Sequence, residues 1–538
     1  MRRLRRMTTT VWCRTTLAMA TATTLALGGW ACAGAGDPAP VVGARCADLA
    51  AMTLIDFDIV SASPVADGDA VPHCRVHGVI DDEINFELLL PDEWNGRFMM
   101  GGGGGYVGSV QNSALTYGAG PGALERGYAT VGTDTGHAGE GVEAGWALHN
   151  EKRQVNFGHR AVHLTAEAAR SIIRHYYDRE EEYAYFVGCS RGGGQGMMES
   201  QRYPEDFDGI VAGAPAYHWT AFTAGFVQNQ QAIFPDASDL SSPVITAENR
   251  ALLDASIRQA CDHLDGVEDG VLNDPRLCNF TPDSLPRCAA DTPGPDCVTS
   301  EQVAAMQAIY AGPTSNGERI FHGFPLGGEN DPGGWDRWIA GADASRERGV
   351  PNLHYGFGTE LYKYFVFDDP DWDYTRYDFS TWADDVAEAA TVLDATDSDL
   401  GRFRDAGGKL ILWTGWSDPA LTALGTIDYY EQVVAGDPSA SAYARLFMLP
   451  GVLHCGGGPG PDQVDWLTAI AAWVEQGEPP VRLVAAKQGG PAGEATPVMT
   501  RPVCAYPGAA AYAGSGSTDD EANFRCQAPE LSLGARVY

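Results

Sequence analysis

An apolar run, Tyr185-Phe186-Val187, leads into Gly188-Cys189-Ser190-Arg191-Gly192, a G-x-S-x-G pattern. Flanking glycines let a strand turn sharply into a helix and leave the serine exposed as a nucleophile. The segment from Gly193 to Gln201 can begin that helix, and its first N–H groups favour developing negative charge. Taken alone, the pattern also fits an ordinary glycine-rich helix start, so the other members of a triad must decide.

Hydrolases with such an elbow place their triad in the chain order Ser, acid, His, with the last two in loops after late strands. Asp418 follows the apolar run Leu410 to Trp413 in Gly415-Trp416-Ser417-Asp418-Pro419, and His454 follows Ala444 to Leu449 in Pro450-Gly451-Val452-Leu453-His454-Cys455. The order and both contexts assign Ser190 as nucleophile, His454 as general base and Asp418 as the residue that orients the imidazole. The oxyanion would be held by the backbone N–H of Arg191 and by one of the glycines in Gly101 to Gly105, for which Gly104 is named. No Gly-Lys-Ser/Thr follows that run, which excludes a phosphate loop.

Twelve cysteines are present, and setting Cys13 and Cys32 aside with the N-terminal leader leaves ten. An even count in an exported chain points to disulfides. Neighbours in sequence suggest Cys46 with Cys74, Cys261 with Cys278, Cys288 with Cys297 and Cys504 with Cys526. Cys189 and Cys455 remain as the distant pair, one directly before Ser190 and the other directly after His454. Bridging them would hold the nucleophile and base loops within disulfide reach. The same oxidising setting argues against Cys189 as the nucleophile.

A second set of residues, Cys261-Asp262-His263-Leu264-Asp265-Gly266-Val267-Glu268-Asp269-Gly270-Val271, alternates carboxylates with glycines, the composition a hard cation prefers. Asp262, Asp265 and Asp269 would supply carboxylates to a structural calcium ion, and Val267 and Val271 backbone carbonyls. The loop lacks the Glu that closes an EF-hand, and on spacing alone a solvated acidic loop fits equally well. No organic cofactor is implied.

The elements that position these groups follow an α/β rhythm. Runs at Arg97 to Met100, Ala129 to Thr133 and Tyr185 to Val187 alternate with helical stretches such as Phe157 to Tyr177, and the rhythm resumes after Gly408. Between them the chain is rich in Pro, Gly, aromatics and four cysteines. The expected organisation is a signal peptide over 1–35, an α/β-hydrolase fold built from 36–216 and 396–538, and a large inserted lid domain over 217–395. Arg2, Arg3, Arg5 and Arg6, a short apolar stretch and Ala31-Cys32-Ala33 form the leader pattern, with lipidation at Cys32 as the alternative. Acidic residues outnumber basic ones 71 to 36, for a net charge of -35, which disfavours nucleic acid and anionic lipid as partners. A secreted or periplasmic protein, not held in a membrane after cleavage, is expected. Its oligomeric state is not encoded in these patterns.

These residues resemble the tannase and feruloyl esterase family over nearly the whole mature chain. The resemblance rests on Gly188-Cys189-Ser190, on Tyr203-Pro204-Glu205-Asp206-Phe207-Asp208-Gly209 continuing to Pro215, on the Asp418 loop, on His454-Cys455 and on the loop from Cys261 to Pro275. It implies the same triad, the Cys189–Cys455 bridge, calcium in the inserted segment and small esters of aromatic acids as substrates, of feruloyl, galloyl or terephthalate type. Arg191 stands where many members have Thr, and Gly194 where many have Arg. Trp335, Arg337 and Trp338 are candidate substrate contacts, with rings to stack on an acyl group and a guanidinium to hold a carboxylate or phenol at its far end. A secreted serine peptidase of the same fold and a catalytically silent binding protein are the competing readings.

Overall fold

Alternate side chains of the apolar runs point to opposite faces of one sheet, and this gives the protein two cores. Phe98 and Met100, Phe186, Ile210 and Ala212, and Leu410 and Leu412 are buried in one; Met99, Tyr185 and Val187, Val211, and Ile411 and Trp413 are buried in the other. The computed structural model describes residues 42–52, 56–66, 71–342, 349–489 and 497–527. The expected signal peptide and Cys32 lie outside the described residues.

The sheet comprises β1 (Phe57–Val65), β2 (His73–Ile80), β3 (Ile84–Pro91), β4 (Arg97–Gly101), β5 (Ala129–Thr133), β6 (Tyr183–Cys189), β7 (Gly209–Gly213), β8 (Lys409–Gly415) and β9 (Ala444–Leu449). Their spatial order is β1-β2-β3-β5-β4-β6-β7-β8-β9. The pairs from β1 to β5 are antiparallel and the remainder, from β5–β4 to β8–β9, are parallel. β5 and β7 are buried at every position, as strands covered on both faces must be.

Helices cover both faces. α1 (Ala161–Tyr177) buries Val162, Ala166, Ala169, Ile172, Ile173 and Tyr176, one stripe at helical spacing, and ends at Asp178 in the left-handed conformation. α2 (Arg191–Arg202) follows the elbow and packs on β6 and β7. The opposite face is covered by the C-terminal helix, introduced below.

Between β7 and β8 lie α3 (Trp219–Ile233), α4 (Ala247–Cys261), α5 (Ser300–Ala311) and α6 (Leu353–Leu361). Thr246 with Asn249 and Thr299 with Gln302 form capping boxes that fix the starts of α4 and α5. The apolar faces of these helices join the same core as α1, through Phe222, Phe226, Leu253, Met306 and Leu361. Tyr217 also donates to the Gly425 carbonyl in α7 (Ala423–Gly436), and Tyr106 to the Phe357 carbonyl. α8 (Trp466–Gln476) then buries Trp466, Leu467, Ile470 and Trp473 against the other face of the sheet. Each such side chain contributes about 1.5–3 kcal/mol relative to exposure.

All five expected disulfides are formed: Cys46–Cys74, Cys189–Cys455, Cys261–Cys278, Cys288–Cys297 and Cys504–Cys526. Among the described residues, no helix is long and apolar enough to cross a membrane.

Candidate active site

Ser190 stands alone between β6 and α2 with φ 63° and ψ -123°, a conformation that costs a non-glycine residue about 1–3 kcal/mol and persists only when its surroundings enforce it. The enforcement is visible. The Ser190 N–H donates to Gly213 O at the end of β7, and the Ser190 carbonyl accepts from Gly194 and Ala216. Gly188 allows the return of the chain, because a Cβ there would lie 2.5 Å from the Gly192 carbonyl carbon; one at Gly194 would lie 2.1 Å from Ala216 O. The Tyr117 hydroxyl, itself accepting from Trp413 Nε1 at 3.0 Å, donates to the Gly188 carbonyl.

The Arg191 side chain runs away from Ser190 toward the residues just before α1. It is 1% exposed; its guanidinium donates to the carbonyls of Phe157 and Gly158 and lies 4.2 Å from the Phe157 ring. Burial pulls its pKa down to about 9.

Asp418, after β8, is fully held. Its Oδ1 accepts from the N–H groups of Ala420 (2.8 Å) and Leu421 (3.0 Å), and His454 Nδ1 lies 2.9 Å from Oδ2. This carboxylate fixes the proton on Nδ1 and leaves Nε2 as the basic nitrogen. Next in the chain, Cys455 adopts φ 61° and bonds to Cys189, with a Cα–Cα distance of 5.9 Å. The bridge pins the loop after β9 to the elbow. Ser190 and His454 line one cavity of about 1300 Å³, with Arg337, Trp338 and Phe357 in its wall.

Two expected contacts are corrected by the geometry. The Gly104 N–H donates to Gln111 Oε1 at 2.7 Å and that of Gly103 to Gln195 Oε1 at 3.1 Å, so both are already committed. Gly105, at φ 54°, is the glycine that lines a small recess with Ser190, Arg191 and His454. Trp335 is 2% exposed, packs 5.5 Å from the Tyr310 ring and is absent from the cavity wall. Trp338, three residues on, meets the His454 ring edge to face at 4.8 Å.

Several positioning residues carried no sequence signal. His354 on α6 is fully buried, its pKa pulled down by burial to about 3. The neutral ring therefore donates from Nε2 to Pro419 O at 2.9 Å and accepts at Nδ1 from Asn229, bracing the acid loop from the inserted segment. Glu329, also buried, accepts from Tyr310 and from the Gly327 N–H, and burial pushes its carboxyl up to about 7. It shapes the strap whose Pro332 and Gly333 reach the cavity.

In the acidic loop, Asp262 accepts from Gly270 N, Asp265 from Val267 N and Asn273 N, and Asp269 from Val271 N and Arg501. Asp265, Val267, Asp269 and Val271 line a recess of about 30 Å³; Asp262 does not. Burial, together with the charges of Asp269 and Asp262, raises the Asp265 carboxyl to about 6. Crowded carboxylates around a one-ion space fit a hard divalent cation.

The sheet, the strained serine elbow and the two late loops define an α/β-hydrolase. The chain matches the family model described as tannase and feruloyl esterase over residues 68–527. It is 35% identical to an uncharacterized esterase of Xanthomonas campestris pv. campestris, with 90% of this chain and 91% of that one aligned, and 34% identical to the mono(2-hydroxyethyl) terephthalate hydrolase of Piscinibacter sakaiensis, with 87% of each aligned. The crystal structure of feruloyl esterase B from Aspergillus oryzae superposes with a TM-score of 0.78 at 26% identity, covering 90% of this chain and all of that one. The chain belongs to the tannase and feruloyl esterase family and is a carboxylic ester hydrolase.

Proposed function

We propose that the protein is an exported serine esterase that cleaves small esters of aromatic acids through an acyl-enzyme. The observation that carries this reading is the hydrogen-bonded Asp418–His454 pair, tied by Cys189–Cys455 to the strained Ser190. Ser190 Oγ attacks the ester carbonyl as His454 Nε2 takes its proton, and the same imidazolium then protonates the leaving alcohol. Water, activated by His454, releases the acid. The N–H groups of Arg191 and Gly105 are the proposed oxyanion donors.

Residues 217–395 act as the lid and supply the acyl wall. Phe222, Phe226, Trp338 and Phe357 surround the recess beside Ser190, and flat rings stack on such a surface. Arg337 lines the wall beside Trp338, which supports a role in holding a carboxylate or phenol at the far end of the acyl group. Gln111, Asn112, Glu140 and Asp462 give the wider cavity a polar side suited to the alcohol. Initial rates on methyl ferulate, methyl gallate, mono(2-hydroxyethyl) terephthalate and a matched peptide test the reading. Turnover of at least one aromatic ester is expected; cleavage of the peptide alone would overturn it.

The acidic loop holds calcium through the carboxylates of Asp262, Asp265 and Asp269 and the backbone carbonyls of Val267 and Val271, and the ion stabilises the fold rather than reacting. Chelation is expected to lower the melting temperature, with about 2.7 kcal/mol lost relative to a hundredfold excess of ion over its Kd, and added calcium to restore it. An identical melt with and without chelator would remove the ion. The leader pattern at 1–35 and the five disulfides support export to the periplasm or medium.

A further inference from the structure

Further along α2 from Ser190, Glu199 is 1% exposed, and neither of its carboxyl oxygens accepts from an N–H or hydroxyl donor; its polar neighbour is the Asp206 carboxyl. A buried carboxyl group that accepts no hydrogen bond is costly, and a bound ion would offset that cost. His163 on α1 and Asp206 in the turn between α2 and β7 stand beside it. Among the described residues these three form the one group of His, Cys, Asp or Glu whose ligand atoms all lie within 4.8 Å of one another.

The surroundings fit a cation. His163 Nδ1 is 2.6 Å from Asp206 Oδ2, and its ring stacks on Tyr203 at 4.0 Å and 6°, which fixes its plane. Arg170 lies 2.9 Å from Glu181 and 3.9 Å from Asp206 Oδ1, so its charge is matched first by Glu181. Glu167, at the exposed rim, faces His163 Nε2 at 3.6 Å. Two carboxyl groups, those of Glu199 and Asp206, thus face the His163 imidazole.

We propose that His163, Glu199 and Asp206 form a structural site for a divalent transition cation of the zinc type. An imidazole with two carboxylates is a donor set that zinc accepts, whereas calcium and magnesium favour oxygen alone. The ion replaces the proton that now joins His163 Nδ1 to Asp206 Oδ2, which passes to solvent; the two ligand atoms move apart by about 0.7 Å to admit it, and water fills the fourth position. His163, with its side chain 23% exposed, is the side of entry. The ion clasps α1, α2 and the turn before β7. Glu199 is nine residues along the helix from Ser190, a rise of roughly 13 Å, so the site does not reach the ester.

Zinc titration of the full chain, stripped by chelator and resaturated with calcium, tests this. One zinc per chain, a higher melting temperature and a His163-dependent visible spectrum with cobalt are expected. His163→Ala, at a partly exposed position, should bind zinc at least tenfold more weakly, lose the gain in melting temperature and keep its ester turnover. Glu199→Gln, if folded, should lose the site as well. Equal zinc binding by wild type and His163→Ala, or no binding by wild type, would overturn the proposal and leave Glu199 sharing a proton with Asp206.

Discussion

Replacing Ser190 by alanine is expected to lower kcat by roughly 10⁴- to 10⁶-fold, the loss seen when a serine nucleophile is removed from such a constellation. Folding should be untouched. The elbow is held by backbone hydrogen bonds from Ser190, not by its hydroxyl, and alanine tolerates φ 63° no worse than serine does. Because the serine acts in the chemical step, KM should change far less than kcat. Steady-state kinetics with a parallel thermal melt measure both. A folded variant that retains near-normal turnover would take the nucleophile's role away from Ser190.

The second large effect is expected from Cys189→Ala/Cys455→Ala. This bridge closes a loop of 266 residues, by far the longest of the five, so a chain-entropy account assigns it about 5–6 kcal/mol. Catalysis should suffer separately. Without the bridge, the turn at Cys455 is no longer tied to the elbow, and a displacement of about 1 Å between base and nucleophile can cost roughly 100-fold in rate. The double variant is cleaner than reductant, which would attack the other four bridges too. A lower melting temperature with unchanged kcat would restrict the bridge to stability.

The sheet's parallel half was legible, and the candidate positions Ser190, Asp418 and His454 could be picked out, because each rests on a local pattern: glycines around Ser190, and apolar runs ending just before Asp418 and His454. The antiparallel strands were not. β1 reads Phe-Asp-Ile-Val-Ser-Ala-Ser-Pro-Val and leaves five of its nine positions exposed, so it offers no clean alternation to detect. The helix expected from Phe157 begins earlier: Glu151–Val155, capped by Asn150, is already α-helical, and the π-helical residues Asn156–Arg160 join it to α1. Choosing among the glycines of Gly101 to Gly105 required the side chains of Gln111 and Gln195, which reach them from elsewhere in the fold. Likewise, two indoles three residues apart look equivalent in sequence. Tyr310 takes Trp335 into the core, while Trp338 packs 6.1 Å from Phe357 and faces the imidazole.

The brace from His354 to the Pro419 carbonyl has a bearing on how such enzymes diversify. The segment between β7 and β8 lines the cavity with Trp338 and Phe357, and it also braces the loop of Asp418 through His354 of α6. On the proposed reading, selectivity and competence are therefore inherited together. A segment transplanted from a relative must bring its own equivalent of that imidazole, or the exchange alters preference only by loosening the machinery that acts on every substrate.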